Sequence, residues 1–469
     1  MQTDHDIVVL GAGISGLTAA YMLARAGREV LLVDRRHAPG GRIHTERRDG
    51  FLVEHGPNSL VSPAPGAESL IGALGLGAAR IKRGVGVRQR YLVRDGRARG
   101  LPLDPFGFFS SRFFSLRGRL RMLGEPFIRP NPADETVSAF VARRFGRELA
   151  DYVFDPLVGG LYAGDPDALS VGALFPHLKR LEREHGSIVR GALAARLVGK
   201  RGFDPASRKL FSFDAGMATL PARLLKELAG RAHFGLRAEA IEPLASGFRL
   251  RLREGDRAIA LRALSVVVAL PAYAAARVLA PLLPETGAAL AGIGHPPLAV
   301  VALGYRVADI AHPLDGLGML MPRIENRNVL GMLFSSTLFA GRAPEGHVLL
   351  TAYVGGARQP HLALLPRKEL ETLVRDEARA LLGARGTPVF SSVRYWRQGL
   401  PQPDLGHAER IASLRQMEQE WPGLFVTGNY VAGVSTANCI DAALATAARA
   451  AAVECPSALG AGIYRQVAL

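Results

Sequence analysis

Cysteine is almost absent from this chain: two residues in 469, Cys439 and Cys455. Two cysteines cannot build a disulfide framework or a four-cysteine zinc site, and nothing in the sequence sets a histidine base beside either one. Both are expected to be inert buried thiols, the default setting is reducing and cytoplasmic, and no metal centre is expected. Acidic residues are also under-represented, with 42 Asp and Glu against 58 Lys and Arg and a formal net charge of +16. Long hydrophobic runs are missing. Stretches such as ALSVVVALPAYAAARVLAPLLP are broken by proline and arginine before they reach the roughly 20 residues a spanning helix needs, so membrane contact is expected to be peripheral. The N-terminal MQTDHDIVVLGAG carries Asp4 and Asp6 where a signal peptide would carry basic residues. No internal repeat and no low-complexity tract is present.

With 48% hydrophobic side chains, a chain of this length can bury a large core and is expected to form two or three domains. Its charge is unevenly placed: residues 80–130 hold thirteen basic residues against three acids. Such an excess suits nucleic acid, anionic lipid or an acidic small molecule. The stretch DPFGFFSSRFFSLRGRLRML interleaves five phenylalanines with arginines, which fits single-stranded nucleic acid or a peripheral membrane helix.

The segment DIVVLGAGISGLTAAYMLARAGREVLLVD reads as strand, glycine turn, helix and strand ending in an acid, one complete βαβ unit. Helical patterning follows in TVSAFVARRFGRELADYVFDPLV, with Thr136 and Ser138 as candidate N-caps. Strand-like runs return in KLFSFDAGMATLPARLL, ALSVVVALP, LAVVALGYRV, HVLLTAYVGG and SVRYWR. A final strand, GLFVTGNYV, runs into GVSTANCIDAALATAARAAAVE, a glycine turn and a small-residue helix. A chain that begins and ends with strand-glycine-helix units is expected to close a discontinuous nucleotide domain with its own C-terminus.

Gly11, Gly13 and Gly16 in GAGISG match the dinucleotide fingerprint, and the helix N-terminus after them would face a pyrophosphate. Asp34, at the end of the second strand, would accept hydrogen bonds from ribose hydroxyls and repel a 2′-phosphate, which disfavours NADP. The glycine pair Gly40-Gly41 with Arg42 then separates NAD from FAD, because a nicotinamide dehydrogenase has no general need of this second element. EHGPNS adds Gly56, where the chain can turn, and backbone amides near Asn58 and Ser59.

Together GAGISGL, APGGR, EHGPNS and the closing LFVTGNYVAGVSTANCI resemble the FAD-dependent, oxygen-dependent protoporphyrinogen oxidases of the amine-oxidase-like flavoprotein superfamily. FDPLVGGLYAGDPDALS, FSFDAGMATL, LFSSTLF with GRAP, YVGG and YW...PQPDLGH extend the resemblance over nearly the whole chain. It departs where Ala215 stands for a glycine, Ala442-Ala443 for Ser-Gly and Tyr353 for phenylalanine.

The resemblance implies an α/β fold: a discontinuous Rossmann-like FAD-binding domain (1–79, 211–272, 420–469), an α+β substrate-binding domain (188–210, 273–419) and an α-helical membrane-docking domain (80–187). It implies FAD contacts at Gly11, Ala12, Gly13, Ile14, Ser15, Gly16, Asp34, Arg42, Gly56, Pro57, Asn58, Ser59, Ala240, Trp396, Val434, Ser435 and Thr436. Arg90 would anchor a substrate propionate, and Gly160, Leu320, Leu333 and Tyr353 would line the macrocycle pocket. The implied reaction is oxidation of protoporphyrinogen IX to protoporphyrin IX, six electrons in three cycles, with molecular oxygen reduced to hydrogen peroxide. Flavin N5 takes the hydride, so no catalytic acid/base pair is expected; His55 and His407 are the nearest candidates and are read as structural. A coproporphyrinogen III oxidase of the same fold is the alternative, ahead of an amine oxidase, a carotenoid desaturase or a flavoprotein without turnover. The expected partners are the porphyrinogen, oxygen and the inner face of a membrane, with a homodimer allowed and no nucleic acid.

Overall fold

The computed structural model describes residues 4–101, 107, 111, 113–197 and 209–453. Cys455 and residues 104–106, 108–110 and 112 of the phenylalanine-arginine stretch lie outside the described residues.

Strand β1 (Asp4–Leu10), helix α1 (Ile14–Arg25) and strand β2 (Val30–Asp34) form the expected unit. Ile7 to Leu10 are at most 2% exposed because β1 is central and covered on both faces, which is why its sequence reads as one unbroken apolar run. On one side β1 pairs in parallel with β2, which in turn pairs with Ala232–Phe234. On the other it pairs with Arg257–Val268, whose last residues pair in parallel with Leu424–Val426 near the C-terminus. The antiparallel strands Leu236–Pro243 and Phe248–Glu254 complete this sheet. Helix Thr436–Ala451 packs on α1 through small residues, Ala443, Ala447 and Ala450 against Ala19, Ala20 and Leu23, so both chain ends share one core. Only Leu424–Val426 of GLFVTGNYV is a strand, and in KLFSFDAGMATLPARLL the strand Lys209–Phe213 gives way to helix Thr219–Glu227.

A second sheet runs in the order Phe390–Trp396, Leu298–Arg306, His347–Gly355, Gly331–Phe334, Gly316–Leu320, Gln89–Arg94, Arg97–Leu101. The strands Gln89–Arg94 and Arg97–Leu101, expected at the head of the helical domain, thus extend the substrate sheet instead, because Gln89–Arg94 pairs in parallel with Gly316–Leu320.

The helical region packs its own core from Val137, Phe140, Val141, Val158 and Val171. Thr136 caps helix Val137–Phe145 by accepting from the Ala139 N–H, whereas Ser138 lies buried within the first turn. Buried Arg144 bridges Glu125 and Glu182 at 3.1 and 2.8 Å. Burial opposes ionisation of Glu182, but hydrogen bonds from Arg143 and Lys179 outweigh it and hold its carboxyl down at about 2. Glu125 also accepts from the N–H groups of Ile188 and Val189. Helix Ile188–Leu197 is therefore fastened to the helical region rather than to the substrate sheet, where residues 188–210 were expected.

Candidate active site

The parallel strands of the first sheet end on a common edge, the place where doubly wound sheets bind ligands. There the Gly11 N–H donates to Val33 O at 2.7 Å, and Asp34 accepts from the Ala12 N–H at 2.7 Å and the Arg36 N–H at 2.8 Å. Asp34 therefore braces the glycine turn with one oxygen and the following loop with the other. Gly16 is required by contact: a Cβ there would stand 1.8 Å from Gly11 O, so α1 could not approach β1. The second glycine pair docks on the first turn, with the Gly40 N–H donating to Ala12 O at 2.9 Å. The chain bends at Gly56 as expected, and the glycine also lets the EHGPNS loop lie against Arg42, whose carbonyl oxygen would sit 1.9 Å from any Cβ.

These loops border one cavity of about 1250 Å³ that continues between the substrate sheet and helix Asp155–Tyr162. Single drug-sized ligands occupy roughly 300–1,000 Å³, so this volume suits two bodies in line. Of the residues expected at the cofactor, Gly11, Gly13, Ile14, Ser15, Asp34, Arg42, Gly56, Pro57, Asn58, Ser59, Trp396, Val434, Ser435 and Thr436 line it. Ala12 and Gly16 do not: they are buried behind the turn. Nor does Ala240, because a bulge between Ala238 and Ala240 shifts the strand, and Arg237, Ala238 and Glu239 face the cavity in its place.

In the apolar arm, Gly160, Leu320, Leu333 and Tyr353 come together from helix Asp155–Tyr162 and three adjacent strands. The Asn58 amide donates to the Tyr353 hydroxyl at 2.6 Å, and burial raises that phenol's pKa. Among the described residues, no Asp, Glu, Lys or Arg of this helix or this sheet lines the cavity. Arg90 is absent from the lining as well. Its side chain is exposed, on the sheet face that Leu92 shares with Leu320, toward the open end of the strand.

The residues present fit a flavin dinucleotide. Helix α1 has Gly13 as N-cap and no side-chain cap, and a Cβ on Gly13 would meet nothing within 4 Å, so its first turn opens to the cavity. Arg42 stacks on Trp396 at 5.2 Å from the ring centre, and burial lowers its pKa, with Tyr273 opposing the shift and Arg36 adding to it. No carboxylate pairs with it among the described residues, as suits a cation reserved for phosphate. The Tyr430 hydroxyl is buried at the cavity wall with no hydrogen-bond partner among the described residues, and burial raises its pKa. Ala269, Leu270, Pro271, Tyr273 and Arg277 also line the site and escaped the motif reading. Their signal was positional, since they follow the carboxyl end of Arg257–Val268.

His55 is 2% exposed, with Nε2 2.7 Å from Glu46 Oε2, which also accepts from the Ser392 hydroxyl at 2.6 Å. Its carbonyl accepts from the Trp396 indole N–H at 2.7 Å, so the EHGPNS loop and the tryptophan are held as one piece. His407 opens helix His407–Glu420 and lines the cavity, its pKa lowered by burial. Burial pushes the Cys439 thiol up to about 12, in keeping with an inert group.

Glu54 pins the FSFDAGM segment: it accepts from the Met217 N–H and the Thr45 hydroxyl, both at 2.7 Å. Burial lifts its carboxyl from 4.5 to about 6, against those hydrogen bonds and the nearby Arg342. A folded pKa above the unfolded one means the native state binds the proton more tightly. The stabilisation this gives is complete below the unfolded value of 4.5 and is lost as pH rises through about 6. Glu54→Gln should remove that loss, so urea unfolding should show the variant gaining about 2 kcal/mol relative to wild type between pH 4.5 and 7. A difference that stays constant with pH would contradict this.

Known proteins point the same way. Over 477 residues the chain is 32% identical to the mitochondrial protoporphyrinogen oxidase of Nicotiana tabacum, covering 93% of this chain and 92% of that one. It is 29% identical to the coproporphyrinogen III oxidase of Bacillus subtilis (strain 168), covering 93% and 95%. A crystal structure from Exiguobacterium sp. 255-15 shares the fold with a TM-score of 0.80 at 24% identity, over 96% of this chain and 99% of that one. The cyclohexylamine oxidase of Brevibacterium oxydans IH-35A follows at 0.70 and 19%, over 96% and 99%. The model of the flavin containing amine oxidoreductases matches residues 14–453, from the start of helix α1 to the end of the described residues. The chain belongs to that family of FAD-dependent oxidoreductases.

Proposed function

We propose that this enzyme oxidises protoporphyrinogen IX to protoporphyrin IX in tetrapyrrole biosynthesis, with FAD held by a Rossmann-like domain and oxygen as the final acceptor. The observation that carries the reading is the join between a glycine-lined nucleotide cradle and an apolar arm without charged lining. Protoporphyrinogen IX is a broad, mostly apolar ring whose two carboxylates sit on one edge. Leu320, Leu333 and Tyr353 would pack its faces, and its carboxylates would stay at the mouth, with Arg90, exposed on the strand next to the sheet edge, as the cation that would meet them. Coproporphyrinogen carries four carboxylates, so at least one would enter an arm that offers no cation, at a desolvation cost.

FAD, when bound, supplies the two-electron acceptor chemistry. The first turn of α1 and Arg42 would hold the pyrophosphate, Asp34 the ribose, and Gly56 to Ser59 with Val434 to Thr436 the rest, leaving Trp396 beside the ring system. What the chain adds is orientation and exclusion of water, and no side chain is assigned as proton acceptor. Flavin bands in the purified protein, followed by steady-state turnover of both porphyrinogens with peroxide detection, test the reading. Preference for protoporphyrinogen supports it; equal or better turnover of coproporphyrinogen overturns the substrate.

No helix among the described residues is long and apolar enough to cross a membrane. Helix Leu116–Leu123 nevertheless exposes Leu116, Leu120 and Leu123 at 68, 62 and 67%, with Phe127 beyond at 82%, beside Arg117 and Arg119. This stripe supports peripheral docking on the inner, anionic face of a membrane, where a poorly soluble substrate gathers. L120E/L123E should weaken the partition constant for phosphatidylglycerol vesicles, read by sedimentation, by about a hundredfold or more, each buried leucine contributing roughly 1.5–3 kcal/mol, while flavin content stays the same. Unchanged sedimentation would remove the membrane from the proposal.

A further inference from the structure

The two walls of the apolar arm belong to different parts of the chain. One is helix Asp155–Tyr162, carrying Gly160; the other is the sheet whose strand His347–Gly355 carries Tyr353. Where they meet, Arg358, three residues beyond that strand, reaches back to the first residue of the helix. Its Nη2 donates to Asp155 Oδ1 at 2.6 Å and also to the Asp155 carbonyl, between side chains only 8% and 6% exposed. The other Asp155 oxygen accepts from the Arg323 N–H at 2.7 Å. The guanidinium of Arg323 then holds Asp165 and Asp167 at 3.2 and 2.8 Å.

The guanidinium of Arg358 lies along the helix, so close that a Cβ on Gly159 would come within 3.0 Å of it. A second stitch, the Ala357 N–H to Ala163 O at 2.8 Å, ties the far end of the same helix to the same loop. The ion-paired side chains stay out of the cavity: Asp155, Arg323 and Arg358 are absent from its lining, while Gly159 to Ala163 and Tyr353 help form it.

We propose that Arg358 and Asp155 are positioning residues that set the width of the arm by clamping its helical wall to its sheet wall. The proposal rests on the reading of the arm as the tetrapyrrole site. Nη2 alone makes both bonds, to the backbone carbonyl and the carboxylate of one residue, so this end of the guanidinium is fixed against the start of the helix by two charge-assisted contacts. The clamp should therefore govern how tightly the ring is gripped, while FAD, held by other elements, is unaffected.

The test uses the holoenzyme. Arg358→Met should raise KM for protoporphyrinogen about tenfold or more, with kcat within about twofold and the flavin-to-protein absorbance ratio unchanged, since loss of grip shared by ground and transition states raises KM alone. Arg358→Lys should recover part of the loss. R358M/D155N, which removes charge from both partners but keeps an acceptor for the Arg323 N–H, should recover thermal stability without recovering KM. A lowered melting temperature with wild-type KM in Arg358→Met overturns the proposal, as does a double variant that regains both together. Amide hydrogen exchange gives a readout that needs no substrate: Arg358→Met should speed exchange in residues 155–163 and 353–358 together, and unchanged protection there also overturns the clamp. Failure of wild type to oxidise any porphyrinogen would instead sink the functional reading, and the exchange experiment would still decide the clamp.

Discussion

Gly16→Ala yields protein without bound FAD and with a lowered melting temperature. The added Cβ would lie 1.8 Å from Gly11 O and 3.2 Å from Ala269 Cβ, and the first of these is backbone that cannot swing aside. Helix α1 must lift off β1, which opens the core that Ala19, Ala20 and Leu23 share with the C-terminal helix and misaims the N–H groups of the first turn. Overpacking of this kind costs about 1–3 kcal/mol or more, and loss of the ligand removes its binding stabilisation as well. The flavin-to-protein absorbance ratio should fall at least about tenfold, because each 1.4 kcal/mol of lost binding is a factor of about ten. Gly13→Ala makes the informative contrast. Its Cβ would meet no protein atom within 4 Å, and its φ of −74° suits alanine, so the apoprotein should melt as wild type does. That Cβ would nevertheless occupy the space through which the pyrophosphate reaches the helix, so flavin content should drop. Wild-type flavin content in both variants would show that the cofactor lies elsewhere.

The second large effect falls on the other arm. Gly160→Val should leave the flavin spectrum intact and abolish measurable turnover of protoporphyrinogen, or raise its KM by more than about tenfold, since a cavity-filling group can exclude the substrate outright. Even one Cβ at this position would stand 2.3 Å from Leu320 Cδ2. Leu320 is a flexible side chain, so it moves rather than the backbone, and the space open to it is the cavity both residues line. G160A/L320A should then recover much of the lost affinity by returning the volume. If Gly160→Val turns over the porphyrinogen with unchanged KM and kcat, the substrate does not sit between this helix and this sheet.

Much of the site was legible in one dimension because its chemistry is carried by backbone. A glycine fingerprint between a buried strand and a helix, an acid at the end of the next strand and a glycine pair are local patterns, and the residues in them lie where the patterns imply. Misreadings arose where contacts are long-range. Gly56 was read as a turn and the chain does bend there, but its need for glycine also comes from the carbonyl of Arg42, fourteen positions earlier in the chain and packed against it. Ala240 was displaced by a bulge, which depends on how two strands pair rather than on either alone. Arg90 was expected to anchor a substrate propionate, but the strand that bears it pairs between Gly316–Leu320 and Arg97–Leu101 and leaves its side chain exposed, outside the cavity lining.

By itself the sequence determined the identity of the cofactor class, the order of strands and helices around it, and the apolar character of what faces it. Those depend on residue type and short periodicity, which folding cannot alter. Only the tertiary structure decided that the C-terminal helix seats on α1, that strands near residue 90 leave the helical region for the sheet, and that Arg358 reaches Asp155. Each of these joins residues far apart in the chain. Such pairings are selected by the shape and burial of the assembled core, which no local pattern contains.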